Sequence, residues 1–133
     1  MPWSVLVVDD NRLVRKGVRR LFEDESDFEV IAEAEHGAEA IEKAVALKPH
    51  LIILDFSMPV MNGFEAAPIL LAKLPTVIII MLTLFLGAEM ENSARNSGIH
   101  GCVPKHQAGT YLIPTARALF DKRPTANSKS TTA

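Results

Sequence analysis

A doubly wound α/β fold, with five parallel strands covered on both faces by five helices, is the architecture this sequence predicts. Two features lead there. Five short apolar runs, mostly β-branched, alternate with segments of helical spacing along almost the whole chain, an order that implies a parallel sheet joined by right-handed helical crossovers. Three of those runs are continuously apolar rather than alternating, as strands buried on both faces are.

Taken in order, the first strand is WSVLVV (Trp3–Val8), and Leu13, Val14, Gly17, Val18, Leu21 and Phe22 follow at the spacing of a buried helical stripe. FEVIAE (Phe28–Glu33) gives the second strand, and Ala40, Ile41, Ala44 and Val45 mark a second helix. LIIL (Leu51–Leu54) is the third strand; TVIIIML (Thr76–Leu82) and GCVP (Gly101–Pro104) supply the fourth and fifth. Pro68 falls inside the third helical segment and Pro114 inside the fifth. A proline beyond the first turn removes a hydrogen bond and costs roughly 3 kcal/mol, so a kink, or a late start to helix five, is expected. From Asp121 onward DKRPTANSKSTTA shows no apolar periodicity; residues 1–120 are therefore read as one domain and 121–133 as a flexible polar tail.

Bulk composition narrows the function. A chain of 133 residues, 48% hydrophobic, suits a single domain with a proper core. Fourteen Lys and Arg against sixteen Asp and Glu give a formal charge of -2, which supplies no basic field for direct nucleic-acid binding. Arg12, Arg15, Lys16, Arg19 and Arg20 form a stripe opposite the apolar face of helix one, read here as a solvated face. The single Cys102 makes no internal disulfide and MPWSV lacks the layout of a secretion signal, so a reducing cytoplasm is expected. The longest apolar run, Val77 to Leu86, is about half of the roughly 20 residues a bilayer crossing needs, and no membrane partner is expected. His36, His50, His100 and His106 show no metal-ligand spacing and are read as loop or surface residues.

Function is signalled at the strand ends. Open α/β sheets bind ligands beyond the carboxyl ends of their strands. There the chain delivers Asp9 and Asp10 after the first strand, Asp55 after the third, Thr83 after the fourth and Lys105 after the fifth. Adjacent carboxylates raise one another's pKa or recruit a cation, and hard oxygen ligands favour Mg²⁺. Beside such an ion Asp55 can serve as a carboxylate nucleophile towards a phosphoryl group, with Lys105 and Thr83 supplying the ammonium and hydroxyl that steady its oxygens. Alone, Asp9 and Asp10 would be an N-cap and its neighbour, and Asp55 an ordinary turn residue.

With VVDDN, LDFSMPVMNG (Leu54–Gly63), MLT (Met81–Thr83) and GCVPK (Gly101–Lys105) in order, the chain resembles the receiver domain of two-component response regulators over about Ser4 to Phe120. The wording around helix one is similar to receivers of nitrate-response-type regulators that carry a helix-turn-helix output domain; these 133 residues do not include one. The resemblance implies a flavodoxin-like sheet of order 2-1-3-4-5 and a switch rather than an enzyme with an external substrate. It implies phosphorylation of Asp55 by a partner histidine kinase, and Mg²⁺ held by Asp10, Asp55 and the Ser57 carbonyl, with Asp9 acting through a water. Lys105 would pair with Asp55 or its phosphoryl group. Thr83 would swing inward and couple to the face of helix four, strand five and helix five, there reaching a downstream protein, an output domain or a second copy of the chain.

Two positions depart from that pattern. Leu84 stands where receivers carry Ala or Gly after the switch Thr, and a bulky gate there should slow small phosphodonors and water. Cys102 replaces the usual Tyr or Phe of strand five, removing the aromatic coupling to Thr83; it is read as a small buried apolar residue. Both favour a rival, a degenerate receiver acting as a constitutive interaction module. A Mg²⁺-dependent phosphohydrolase would want a second acid/base aspartate soon after Asp55, and DFSMP offers none. Flavin binding would want glycines and hydroxyls in the first loop, where acids stand instead.

Overall fold

The computed structural model describes residues 2–122. Its elements run β1 (Trp3–Val8), α1 (Arg12–Glu23), β2 (Phe28–Ala34), α2 (Gly37–Leu47), β3 (Leu51–Asp55), α3 (Gly63–Lys73), β4 (Ile78–Thr83), α4 (Ala88–Asn96), β5 (Gly101–Pro104) and α5 (Ala108–Lys122), the last preceded by a single 3₁₀ turn at Lys105–Gln107. All strands are parallel, in the order β2-β1-β3-β4-β5, which is the flavodoxin-like topology the motifs imply.

Each sheet face has its own core. Val5, Val7, Leu51, Ile53, Ile80 and Leu82 point towards Val18 and Phe22 of α1 and Leu112, Ala116 and Phe120 of α5. The alternate residues Leu6, Val8, Ile52, Leu54, Ile79 and Met81 meet Ala40, Ala44, Ala66, Ala67, Leu70 and Ala94 of α2, α3 and α4. Small residues on that second set of helices let them lie close to a sheet whose side chains are already large.

Helix starts follow capping chemistry. Asn11, not Asp10, caps α1, its side chain accepting from the Leu13 and Val14 amides at 2.8 and 3.2 Å. His36 caps α2 through Nδ1, and Asn62 with Glu65 forms a reciprocal capping box on α3. Neither proline interrupts its helix: Pro68 and Pro114 are both exposed and lie inside α3 and α5. The expected late start of helix five is met only by the 3₁₀ turn. α5 also runs through Asp121 and Lys122, past the expected boundary at Phe120; residues 123–133 of the expected tail lie outside the described residues.

At the amino ends of the strands two histidines act as clasps. His50, just before β3, donates its amide to the Ser4 carbonyl at 3.0 Å and accepts the Ser4 amide on Nδ1 at 3.0 Å. His100, just before β5, repeats the pattern on Ile79 at 2.9 and 3.0 Å. Loop placement was expected for both; the clasp was not.

The sheet register aligns the carboxyl ends. Val8 pairs with Ala34 and Leu54, Asp55 with Leu82, and Thr83 with Pro104. Residues at or just beyond those positions therefore come out side by side along one edge.

Candidate functional site

Asp9, immediately after β1, and Asp55, the last residue of β3, are 0% and 1% exposed. Between them sits the Lys105 ammonium, 3.0 Å from Asp9 Oδ2 and 3.1 Å from Asp55 Oδ1. The Asp55 contact is a hydrogen bond, whereas the approach to Asp9 is an ion pair without hydrogen-bond alignment. The Asn11 amide donates to Asp9 Oδ1 at 2.8 Å, and the Ser57 amide to Asp55 Oδ1 at 3.3 Å. Asp10 is exposed beside the pair. Its carboxylate lies with those of Asp9 and Asp55 in one cluster, with one oxygen from each within 4.8 Å of the others.

Burial sets the electrostatics. It lifts the Asp55 carboxyl first, and the neighbouring Asp9 charge lifts it further, to about 6, against the pull of Lys105 and the Ser57 amide. Asp9 is raised too, again chiefly by burial. For Lys105 burial works against the charge, but the two carboxylates outweigh it and hold the ammonium above its ordinary value. Three carboxylates against one ammonium leave a formal excess of two negative charges, the amount a divalent ion carries.

The residues fit a metal ion on a direct observation. Asp9 Oδ2 and Asp55 Oδ2 are buried without an aligned hydrogen bond; Lys105 compensates the first as an ion pair, whereas Asp55 Oδ2 has no partner among the described residues, which costs on the order of 1–3 kcal/mol or more when nothing compensates it. An all-oxygen set open on the Asp10 side matches Mg²⁺, which takes one or two carboxylates and retains waters.

The other predicted residues occupy the surroundings. Thr83 ends β4 at 2% exposure, its Oγ1 accepting from the Phe85 amide at 3.4 Å. Ser57 is exposed in the loop after Asp55. Leu84 is 56% exposed and continues into an uncovered Phe85 and Leu86, so it stands at the rim. Cys102 is half-buried against the α2–α3–α4 core. Burial, then Glu91, pushes its thiol up to about 11, which keeps it protonated and inert.

Two residues of α1 contradict their expected places: Leu13, expected in the buried stripe, is 77% exposed, and Arg15 is the reverse case. Arg15 is not part of a solvated stripe: it is 7% exposed, with Nη1 donating to the Asp9 carbonyl at 2.7 Å and Nε to Glu33 at 3.0 Å. The signal was present, since Arg15, Val18 and Phe22 repeat at the three-and-four spacing of the buried face of α1.

Among the described residues no helix is long and apolar enough to cross a membrane. The family model described as "Response regulator receiver domain" matches residues 5–117. The chain is 34% identical over 121 residues to the response regulator protein VraR of Staphylococcus saprophyticus, covering 91% of this chain and 58% of that protein. To the transcriptional regulatory protein LnrK of Bacillus subtilis it is 33% identical over 110 residues, 83% of this chain and 50% of that one. It thus spans about half the length of these relatives. Among solved structures, the response regulator domain of Thermotoga maritima CheB superimposes with a TM-score of 0.85 at 29% identity, over 93% of this chain and 100% of that one. A LuxR-family response regulator from Aurantimonas gives 0.86 at 27% identity, over 92% and 88%.

Proposed function

The chain belongs to the response regulator receiver family, and from that premise we propose that it is a signalling switch, phosphorylated on Asp55 by a partner histidine kinase in a Mg²⁺-dependent reaction. The observation that carries this is the Lys105 ammonium held between two buried carboxylates, of which Asp55 keeps an oxygen, Oδ2, with no hydrogen-bond or ion-pair partner among the described residues. In the transfer an Asp55 carboxylate oxygen forms the new P–O bond. The P–N bond to the donor's imidazole breaks, and its electron pair stays on the ring nitrogen, which takes a proton.

Asp9, Asp10 and Asp55, with the Ser57 carbonyl, would hold the ion, which supplies positive charge to the phosphoryl oxygens as they approach. Lys105, already at Asp55, stays to pair with the new anion. Thr83 gives up its weak contact with the Phe85 amide to donate its hydroxyl to a phosphoryl oxygen. Its movement shifts the population of the α4–β5–α5 face, where a downstream protein, an output domain or a second copy of the chain would read the change. The only chemistry is self-directed, and the site of action is the cytoplasm.

Intact mass after incubation with Mg²⁺ and acetyl phosphate tests this. Wild type should gain one phosphoryl group, Asp55→Asn none, and chelator should prevent the gain. Leu84→Ala should label faster if Leu84 narrows the entrance. No adduct in wild type would favour the constitutive interaction module, the reading that Leu84 and Cys102 support.

A further inference from the structure

We propose that Arg15 is a positioning residue for the divalent-ion site, holding the Asp9–Asp10 peptide plane through the Asp9 carbonyl. The inference rests on the reading above that the site takes Mg²⁺. A peptide unit is rigid and planar, so the oxygen of Asp9 and the nitrogen and Cα of Asp10 move together, and that plane sets the point from which Asp10 reaches into the site. The Asp9 amide is fixed on one side by the Ala34 carbonyl at 3.0 Å. The Asp9 carbonyl is fixed on the other by Arg15 Nη1 at 2.7 Å. Asp10 itself is exposed, so its aim depends on its backbone.

A buried guanidinium needs a reason and a partner. Glu33 supplies the partner: its Oε1 takes Arg15 Nε at 3.0 Å, its Oε2 takes Arg19 Nη1 at 2.9 Å, and Glu35 adds a looser contact to Arg15 at 3.6 Å. Glu33 reaches α1 only because β2 carries an irregularity. Val5 pairs with Val30 but Leu6 pairs with Ala32, leaving Ile31 as an extra residue. Before it Phe28 and Val30 face the α1–α5 core; after it Ala32 and Ala34 face the opposite core. The bulge reverses the alternation and turns Glu33 towards Arg15. Bulges of this kind commonly re-aim a side chain beside a functional site. The fork geometry matters too, since a guanidinium can hold a carbonyl and a carboxylate at once where a lysine ammonium cannot do so at the same spacing.

The sign of the effect separates this role from plain electrostatics. Removing a positive charge near a cation site should tighten cation binding; removing a support that orients its ligands should weaken it, typically by about tenfold. Calorimetric titration of Mg²⁺ alone into metal-free protein is the test. Arg15→Met should bind about tenfold more weakly than wild type, and the charge-conserving Arg15→Lys should also be weaker. Arg19→Met, which loses a partly exposed arm of the same network without touching Asp9, should change affinity by less than about twofold. Acetyl phosphate labelling of Arg15→Lys should return to the wild-type rate at saturating Mg²⁺, a split that loss of folded protein would not produce. Equal or tighter Mg²⁺ binding by both Arg15 variants overturns the proposal. If Arg15→Met does not fold, unchanged affinity in Arg15→Lys alone does so. Wild type that binds no Mg²⁺ removes the functional reading itself, and this inference with it.

Discussion

The two ends of the sheet are built from the same strands and treat their polar groups in opposite ways. At the amino ends His50 and His100 each tie a loop to a neighbouring strand with two hydrogen bonds. Beside them Trp3 stacks on Phe120 at 4.4 Å and meets the edge of His50 at 5.1 Å. At the carboxyl ends two buried carboxylate oxygens lack a hydrogen bond, and only that of Asp9 has an ion-pair partner; a β-branched residue, Val60, holds φ +71°, and Leu84, Phe85 and Leu86 stand uncovered. One end stabilises the fold; the other stores unmet hydrogen bonding and backbone strain, which a protein keeps where a ligand or partner is to supply the missing interactions.

Substitution at the amino end should give the largest loss. Phe120→Ala removes a core ring and the Trp3 stack, and should lower unfolding stability by about 3–4 kcal/mol while leaving phosphorylation of the remaining folded protein unchanged. A loss well under that, or a selective loss of labelling, would blur the division between the ends. The smallest effect should come from the strained end and carry the opposite sign. Val60 is fully exposed, so Val60→Asn gives up no burial and places in the left-handed region a residue that tolerates it. Urea denaturation should show a gain of about 1 kcal/mol; no gain would mean that the loop holds no releasable strain.

Much of this was legible in the sequence, for physical reasons. Strands buried on both faces are written as unbroken apolar runs, and parallel strands in register bring their last residues together, so the sequence alone groups Asp9, Asp10, Asp55, Thr83 and Lys105. The departures trace to tertiary context. Both prolines sit within helices, on their exposed sides, where the ring itself meets no packed neighbour element. Arg15 looked like one charge among five because its partner Glu33 is turned inward by a bulge at Ile31 that nothing in FEVIAEA marks. The histidine clasps depend on which strand lies beside each loop, which spacing within the chain does not encode. Asn11, rather than either aspartate, caps α1, which leaves Asp9 and Asp10 to the acidic cluster.

Comparing the urea unfolding midpoints of wild type and Asp55→Asn, in chelator and in saturating Mg²⁺, tests the central claim most directly. The Asp55 carboxyl rises from 3.8 to about 6 on folding, so folded protein binds the proton more tightly and loses stability as pH climbs through that window, by roughly 3 kcal/mol at neutrality. In chelator near pH 7 Asp55→Asn should therefore be the more stable by about 2–3 kcal/mol, and the gap should close below about pH 4, where both states of wild type are protonated. Saturating Mg²⁺ should raise the wild-type midpoint and leave Asp55→Asn nearly where it was. Coincident midpoints in chelator, or a Mg²⁺ shift of equal size in both proteins, would contradict the account.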